Sequence, residues 1–174
     1  VPGAPVRCRL VYVLARVAAM PVEGIYTRPV TPYHEDFSWN EGALAETVEH
    51  LVVAGVHGIV GAGSTGEYYA QTPEERLEMM KRCAGLINGR VPMVMGTGAI
   101  RTEDSIMYAK AAKAAGADAL LVATPPYAYP TGREIALHAL AVDRAANLPV
   151  MLYNYPGRMS VDMDEECLDR LGRS

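Results

Sequence analysis

The loop at residues 63–67, Gly-Ser-Thr-Gly-Glu, has the residue types and the position of a ligand-binding loop. It follows an apolar run at residues 58–62 and precedes a helix that begins near Thr72. The glycines let the backbone turn sharply and approach a ligand, while Ser64 and Thr65 offer hydroxyls beside backbone N–H donors. This donor set suits the carboxylate of a small anionic substrate. The predicted contacts are Gly63, Ser64, Thr65 and Gly66.

The same loop overlaps the Gly-x-Gly-x-x-Gly spacing of dinucleotide-binding sites, at residues 61–66. The context argues against that function, because the helix starts only after residues 72–75 and not at the third glycine. The next strand, at residues 91–95, also runs into Gly-Thr-Gly without a ribose-binding acid. A nicotinamide site and a plain turn with packing glycines stay as alternatives.

The elements around this loop form a repeating pattern of apolar strands and amphipathic helices. The strand-like runs begin roughly thirty residues apart, which is the length of one βα unit. They are apolar throughout, as in a parallel sheet that is covered on both faces. The predicted strands are residues 25–31, 58–63, 91–96, 119–124 and 148–154.

The helices carry recognisable start and stop signals. Each predicted start has a capping side chain three residues before a carboxylate, which satisfies amides that a helix leaves unpaired at its N-terminus. The pairs are Ser38 with Glu41, Thr72 with Glu75, Thr131 with Glu134, and Asp162 with Glu165. Three of the helices are followed by glycine stop signals, at Gly55, Gly89 and Gly116.

Candidate functional residues follow at least three of the predicted strands. They are Ser64 and Thr65, then Tyr127, then Tyr153 and Asn154. Convergence of several strand ends on one site is typical of a (β/α)8 barrel, whereas an open doubly wound sheet uses only the strands beside its switch point. We therefore predict an α/β chain of the (β/α)8 barrel type.

Composition excludes several classes of protein. The 174 residues fit a single domain, half of them are apolar, and the formal net charge is −4. Lysine and arginine are scattered, so no nucleic-acid footprint is expected. The histidines do not cluster with cysteines or acids, so no metal site is predicted. The three cysteines lack a CxxC pair and indicate reduced thiols of a cytoplasmic protein.

The first nineteen residues differ from the rest of the chain. Their apolar run, residues 10–15, is bracketed by arginines and is too short for a membrane span or an ordinary export signal. We predict that residues 1–19 form an extension, disordered or loosely packed, and that residues 20–174 form the partial barrel. A weak export signal is the alternative.

Four ordered motifs, one after each of four strands, give the chain a specific resemblance. They are Thr31-Pro32-Tyr33, Gly63-Ser64-Thr65-Gly66-Glu67, Thr124-Pro125-Pro126-Tyr127, and Tyr153-Asn154-Tyr155-Pro156-Gly157-Arg158. Together they resemble the dihydrodipicolinate synthase and N-acetylneuraminate lyase family. The resemblance implies a barrel lyase, without cofactor and usually oligomeric, that joins or cleaves pyruvate and an aldehyde through a lysine Schiff base.

The resemblance also implies roles for individual residues. Ser64 and Thr65 would hold the keto-acid carboxylate, and Tyr153 would act as general acid and base. Tyr127 would be a relay tyrosine that reaches a neighbouring subunit, and Arg158 would receive a second carboxylate. The non-functional alternatives are that the two tyrosines pack at the barrel rim and that Arg158 is an ordinary solvated charge on a loop.

The chain departs from the family at the nucleophile. Extrapolated spacing places the lysine-bearing sixth strand at roughly residue 180, beyond Ser174, so we expect a barrel truncated after about five βα units. The three lysines, Lys81, Lys110 and Lys113, lie on predicted outer helices. The alternatives are a sugar-acid or other 2-keto acid aldolase and a non-catalytic half-barrel. A five-unit barrel is also expected to leave two strand edges unpaired and its inner face exposed.

Overall fold

The computed structural model describes residues 12–14 and 23–173, and it forms one sheet with helices on its outer side. The strands are β1 (Tyr12–Leu14), β2 (Tyr26–Thr27), β3 (Gly58–Gly61), β4 (Met93–Gly96), β5 (Ala119–Ala123) and β6 (Val150–Tyr153). The α-helices are α1 (Glu41–Val53), α2 (Pro73–Ile87), α3 (Thr102–Ala114), α4 (Gly132–Ala146), α5 (Pro156–Met159) and α6 (Glu165–Gly172). Two short 3₁₀ turns, Ser64–Gly66 and Tyr68–Ala70, lie between β3 and α2.

Strands β2 to β6 are parallel and adjacent in chain order, with the sheet order β1-β6-β5-β4-β3-β2. They form a curled half-barrel, which confirms the predicted truncated (β/α)8 architecture. Because these five strands are parallel, they all end at the same rim. The loops that carry the candidate residues are therefore placed together.

The sheet is buried on both faces. On its outer face, side chains such as Ile59, Leu120 and Leu152 pack against the helices in the main core. The inner face has its own cluster of buried residues, which are Val60, Val94, Ala119, Leu121 and Met151. The expectation of an exposed inner face was wrong, because the curl brings these side chains into contact with one another.

The expectation of two unpaired edges was wrong at β6 only, because β2 pairs with β3 and has no described strand on its other side. Strand β1, from the predicted extension, pairs antiparallel with β6, with Val13 opposite Met151. The outer edge of β6 is therefore covered. The rest of the predicted extension, residues 1–11 and 15–19, lies outside the described residues, as does Cys8.

Two of the predicted helix starts are complete capping boxes. The Thr72 hydroxyl accepts a hydrogen bond from the Glu75 amide, and the Glu75 carboxylate accepts one from the Thr72 amide at 2.7 Å. Thr131 and Glu134 repeat this arrangement at the start of α4. These boxes confirm where α2 and α4 begin, and thus where the preceding loops end.

The other two predicted caps were wrong by two residues. Helix α1 is capped by Asn40, whose side chain accepts from the Ala43 amide, while the Ser38 hydroxyl donates to Asp36. Helix α6 is capped by Asp164 instead of Asp162. Asparagine, aspartate and serine cap equally well, so tertiary contacts decide between them.

Candidate active site

The loop at residues 63–67 turns directly after β3 and is held by side chains from neighbouring segments. The Thr31 hydroxyl donates to the Gly66 carbonyl at 2.8 Å, and the Gln71 amide donates to the Thr31 hydroxyl and the Tyr33 hydroxyl at 3.3 and 3.2 Å. A Cβ on Gly96 would lie 2.3 Å from the Ala62 carbonyl oxygen, so only glycine lets β4 pass this close. The loop is therefore rigidly placed at the rim.

Only some of the donors of this loop are used within the described chain: the amides of Gly66 and Glu67 donate to the carbonyls of Gly63 and Ser64. The Ser64–Gly66 segment is a 3₁₀ turn, and the first amides of such a turn have no partner inside it. The hydroxyls of Ser64 and Thr65 form no hydrogen bond with a described residue. Hydroxyls and amides that are free at one turn are suited to a carboxylate.

Tyr153 lines the same space from strand β6. It is the last residue of β6 and packs at the edge of the inner-face cluster. Its ring centroid lies 6.0 Å from that of Tyr155 and 5.8 Å from the guanidinium carbon of Arg28. One cavity is lined by Gly63, Ser64, Tyr68, Gly98, Tyr153 and Met159. The structure thus brings Gly63, Ser64 and Tyr153 together.

The other predicted residues lie outside this cavity. Thr65 is exposed, and Gly66 is buried beneath the turn. Arg158 is exposed on α5, with its guanidinium carbon 6.0 Å from the Tyr155 ring centroid. Tyr127 is 86 % exposed and adopts a left-handed backbone conformation, with φ of 71°. A bulky residue in this conformation is strained, which is common at functional loops.

Asn154 directly follows Tyr153, the last residue of β6, and its side chain is used to hold the structure. Its amide nitrogen donates to Asp162, and its carbonyl oxygen accepts from the Met163 amide at 3.2 Å. These bonds tie the segment that carries Tyr155 and Arg158 to the end of the strand. Asn154 is therefore expected to position this segment.

Tyr68 is a cavity residue that the sequence patterns did not reveal. It is half-buried, and burial raises the pKa of its phenol while the nearby Arg76 guanidinium opposes that rise. A Cβ on Gly98 would lie 3.0 Å from the Tyr68 hydroxyl oxygen, so the glycine leaves room for the phenol. Its position directly after the 63–67 loop is the one sequence feature that could have identified it as a site residue.

Arg76 supports the cavity from behind. It is only 3 % exposed, and its guanidinium carbon lies 3.7 Å from the Tyr108 ring centroid and 4.7 Å from that of Tyr68. The guanidinium donates to the carbonyls of Gly98 at 2.7 Å and Gly96 at 3.4 Å. A buried cation thus connects α2 to two glycines at the cavity wall.

The three lysines lie away from the cavity. Lys81 is on α2, and Lys110 and Lys113 are on α3; all are exposed. The Lys113 ammonium donates to the Ala146 carbonyl at the end of α4. None of the lysines lines the cavity or ends a described strand.

Residues 12–14 and 23–173 contain neither a candidate metal site nor a candidate membrane span. No group of three or more His, Cys, Asp or Glu side chains in this part is arranged to hold a metal ion. Nor does any of the described helices combine the length and hydropathy that a membrane crossing requires.

Comparisons with known proteins show relatives of this chain in sequence and in fold. The model of the dihydrodipicolinate synthetase family matches residues 21–173. A 4-hydroxy-tetrahydrodipicolinate synthase from Cellvibrio japonicus is 38 % identical over 152 residues, which cover 87 % of this chain and 52 % of that protein. The chain thus spans about half the length of the curated relatives it matches.

Solved structures show the same partial coverage. The chloride-inhibited dihydrodipicolinate synthase from Acinetobacter baumannii, complexed with pyruvate, is 37 % identical with a TM-score of 0.82; 86 % of this chain and 52 % of that one are covered. YagE from E. coli K12, a prophage protein of the dihydrodipicolinic acid synthase family in complex with pyruvate, is 28 % identical with a TM-score of 0.84. That match covers 88 % of this chain and 51 % of YagE.

Proposed function

Because the chain belongs to the dihydrodipicolinate synthetase family, we propose that it forms the 2-keto acid half of a Schiff-base lyase site. The reaction would be the aldol-type condensation or cleavage of pyruvate with an aldehyde. The single observation that carries this proposal is the cavity shared by Ser64 and Tyr153, which joins a carboxylate-binding turn to a phenol at a strand end. The pyruvate complexes of the two related structures support the choice of ligand.

Each residue has a defined task in this proposal. The amides and hydroxyls of Ser64 and Thr65 hold the keto-acid carboxylate, with Gly63 and Gly66 shaping the turn. The Ser64 hydroxyl also passes protons. Tyr153 gives a proton to the keto oxygen as the amine adds and takes it back later, the role of a general acid and base.

Two further residues act at the edge of the site. Arg158 receives a second carboxylate, for which a planar guanidinium is well shaped. Tyr127 is proposed to reach a neighbouring subunit as the relay tyrosine, which links activity to an oligomer. Its exposure and its strained backbone support this role. A rare backbone conformation costs conformational free energy, and such conformations are found mainly at functional sites.

The nucleophile is proposed to come from outside the described residues, because Lys81, Lys110 and Lys113 all lie on outer helices. A sugar-acid aldolase and a non-catalytic half-barrel that binds keto acids are the alternatives. Two buried free thiols, Cys83 and Cys167, support the prediction of a reducing cytoplasmic location.

The experiment measures pyruvate binding and imine formation separately. Broadening of the pyruvate methyl signal in NMR is expected with the 174-residue chain, and it should weaken in Ser64→Ala and Tyr153→Phe. Tyr129→Phe is the matched control, because Tyr129 is an exposed tyrosine outside the cavity. If the folded chain did not broaden the pyruvate methyl signal, the proposed function would be refuted.

Borohydride trapping with pyruvate then tests the nucleophile. The mass of the 174-residue chain is expected to stay unchanged, since an imine needs an amine beside the keto carbon. A longer polypeptide that includes a lysine-bearing sixth strand should gain one reduced pyruvate adduct, weakened by Tyr153→Phe. A stoichiometric adduct on Lys81, Lys110 or Lys113 would show that one of these lysines replaces the expected nucleophile.

A further inference from the structure

The ring of Tyr68 lies between the two halves of the proposed site. Ser64 follows β3 and Tyr153 ends β6, and strands β4 and β5 lie between them in the sheet. Tyr68 contacts the segment that follows β4, since a Cβ on Gly98 would lie 3.0 Å from the Tyr68 hydroxyl oxygen and from its Cζ atom. The ring is therefore placed beside the strand ends that separate Ser64 from Tyr153, and it lines the cavity with them.

The cavity wall next to this ring is made of small residues. Gly96 and Gly98 line it from the end of β4, and Ala123 lines it from the end of β5. The space that Gly98 leaves open is filled by the phenol of Tyr68, because a side chain at residue 98 would collide with that ring. Tyr68 thus determines how much of this space a ligand can use.

Tyr68 differs from the other large side chains among the described residues that line the cavity. Leu121 and Met159 are buried, at 8 and 5 % exposure, and present little surface to a ligand. Tyr153 is the proposed partner of the keto oxygen. Tyr68 is only half-buried, so much of its ring faces the open part of the cavity.

The Tyr68 ring is held in place by its neighbours. The guanidinium carbon of Arg76 lies 4.7 Å from the Tyr68 ring centroid, and the Tyr69 ring packs edge-on against it with centroids 5.7 Å apart. Arg76 is itself fixed, because it is 3 % exposed and donates to the Gly98 carbonyl at 2.7 Å. Moving the ring aside would break these contacts, so it acts as a fixed wall.

We propose that Tyr68 is a specificity-determining residue whose ring limits the side chain of the bound 2-keto acid. This inference rests on the proposed function, in which the turn at Ser64 and Thr65 holds the carboxylate and Tyr153 meets the keto oxygen. These contacts fix the first two carbons of the ligand, so its third carbon faces the remaining wall, which includes Tyr68. A methyl group fits there, whereas a longer chain meets the ring. The ligand class is therefore the smallest 2-keto acids.

A series of 2-keto acids tests this inference on the full 174-residue chain. Pyruvate, 2-oxobutanoate and 2-oxopentanoate share the carboxylate and the keto group, and they differ only in the number of methylene groups. In ligand-observed NMR titration, the wild-type chain is expected to bind pyruvate at least about tenfold more tightly than 2-oxopentanoate. The reason is that a single methylene at a packed apolar wall changes affinity by about 10- to 200-fold.

Two substitutions of Tyr68 separate its ring from its hydroxyl. Tyr68→Ala removes the ring and is expected to raise the affinity for 2-oxopentanoate relative to pyruvate about tenfold. Tyr68→Phe keeps the ring without the hydroxyl and should keep the wild-type preference. The ratio of the two affinities is the readout, because it does not change when both ligands bind more weakly.

Tyr129→Ala is the matched control, because Tyr129 is an exposed tyrosine outside the cavity. It loses the same atoms and should leave the preference unchanged. Circular dichroism should show that the variants are folded. Tyr68→Leu, which also removes the aromatic ring, replaces Tyr68→Ala in the comparison if the alanine variant does not fold.

Three outcomes would overturn the inference: equal affinity of the wild-type chain for pyruvate and 2-oxopentanoate, an unchanged preference in Tyr68→Ala, and a lost preference in Tyr68→Phe. The last would show that the hydroxyl, and not the ring, selects the ligand. In all three cases the proposed function stands, since pyruvate still binds the wild-type chain. If the wild-type chain bound none of the three acids, both the inference and the proposed function would be overturned.

Discussion

Replacing Arg76 by methionine removes a buried cation while keeping most of its apolar stem. In the native chain its guanidinium lies against the rings of Tyr108 and Tyr68 and donates to the Gly98 carbonyl at 2.7 Å. No other described group donates to that carbonyl. The substitution therefore breaks one short charge-assisted bond, two ring contacts and the longer bond to Gly96.

The expected change in the free energy of unfolding is the difference between lost contacts and relieved desolvation. A hydrogen bond from a charged donor contributes about 1.5–3 kcal/mol, and a desolvated cation–π contact contributes about 2 kcal/mol. The bond to Gly96 is long and contributes little. Against these stands the relief of burying a charge, because burial lowers the pKa of Arg76 and disfavours its charged form. We expect a net loss of about 2 kcal/mol, a factor of about 30 in the folding equilibrium.

Urea unfolding followed by circular dichroism measures this loss. The control is Arg82→Met on the same helix, where exposed ion pairs with Glu78 and Glu41 are expected to contribute under about 1 kcal/mol. Pyruvate binding by the folded Arg76→Met variant should also weaken, since Tyr68 and Gly98 line the cavity. Equal stability of Arg76→Met and the wild type would refute the reasoning, and would mean that desolvation cancels every contact.

Three other predictions concern stability and thiol chemistry. Thr131→Ala breaks the capping box of α4 and is expected to lower the free energy of unfolding by about 1 kcal/mol, as measured by thermal unfolding. Unchanged stability would show that the cap does not stabilise the helix. Burial lowers the pKa of the His138 imidazole, so below its ordinary value of 6.5 the unfolded chain binds the proton more readily. Stability should therefore fall as the pH drops below about 6.5, less so in His138→Gln, and equal pH profiles of the two proteins would contradict this. Burial raises the pKa of Cys83 and of Cys167 to about 11, so iodoacetamide should label them only on unfolding; rapid labelling of the native chain would show that they are accessible.

The order and direction of the strands were predictable from the sequence because every element gave a local signal. Apolar runs at a constant spacing identified the parallel strands, and the boxes at Thr72 and Thr131 marked two helix starts. The start of α1 was not predictable in this way. Asn40 is held by a bond from its amide to the Pro32 carbonyl, a contact across a loop that no local pattern encodes.

The candidate site was predictable only where residues carried a motif. The turn at Ser64 and the strand end at Tyr153 were identified, and they line one cavity. Arg76 was missed, since a single arginine on a helix has no signature of its own. Its surroundings depend on how α2 packs against the strands, which is a property of the whole sheet.

The short strand β1 covers the backbone edge of β6 and can be displaced from it. It meets β6 over three residues, from Tyr12 opposite Leu152 to Leu14 opposite Val150. So short an antiparallel pairing protects the edge from adding a strand of another molecule, yet it can be exchanged at small cost. A longer parallel strand would compete for the same backbone groups of β6 and would displace β1. If such a strand closed a barrel beside Tyr153, closure would be a strand-exchange event as well as a folding event.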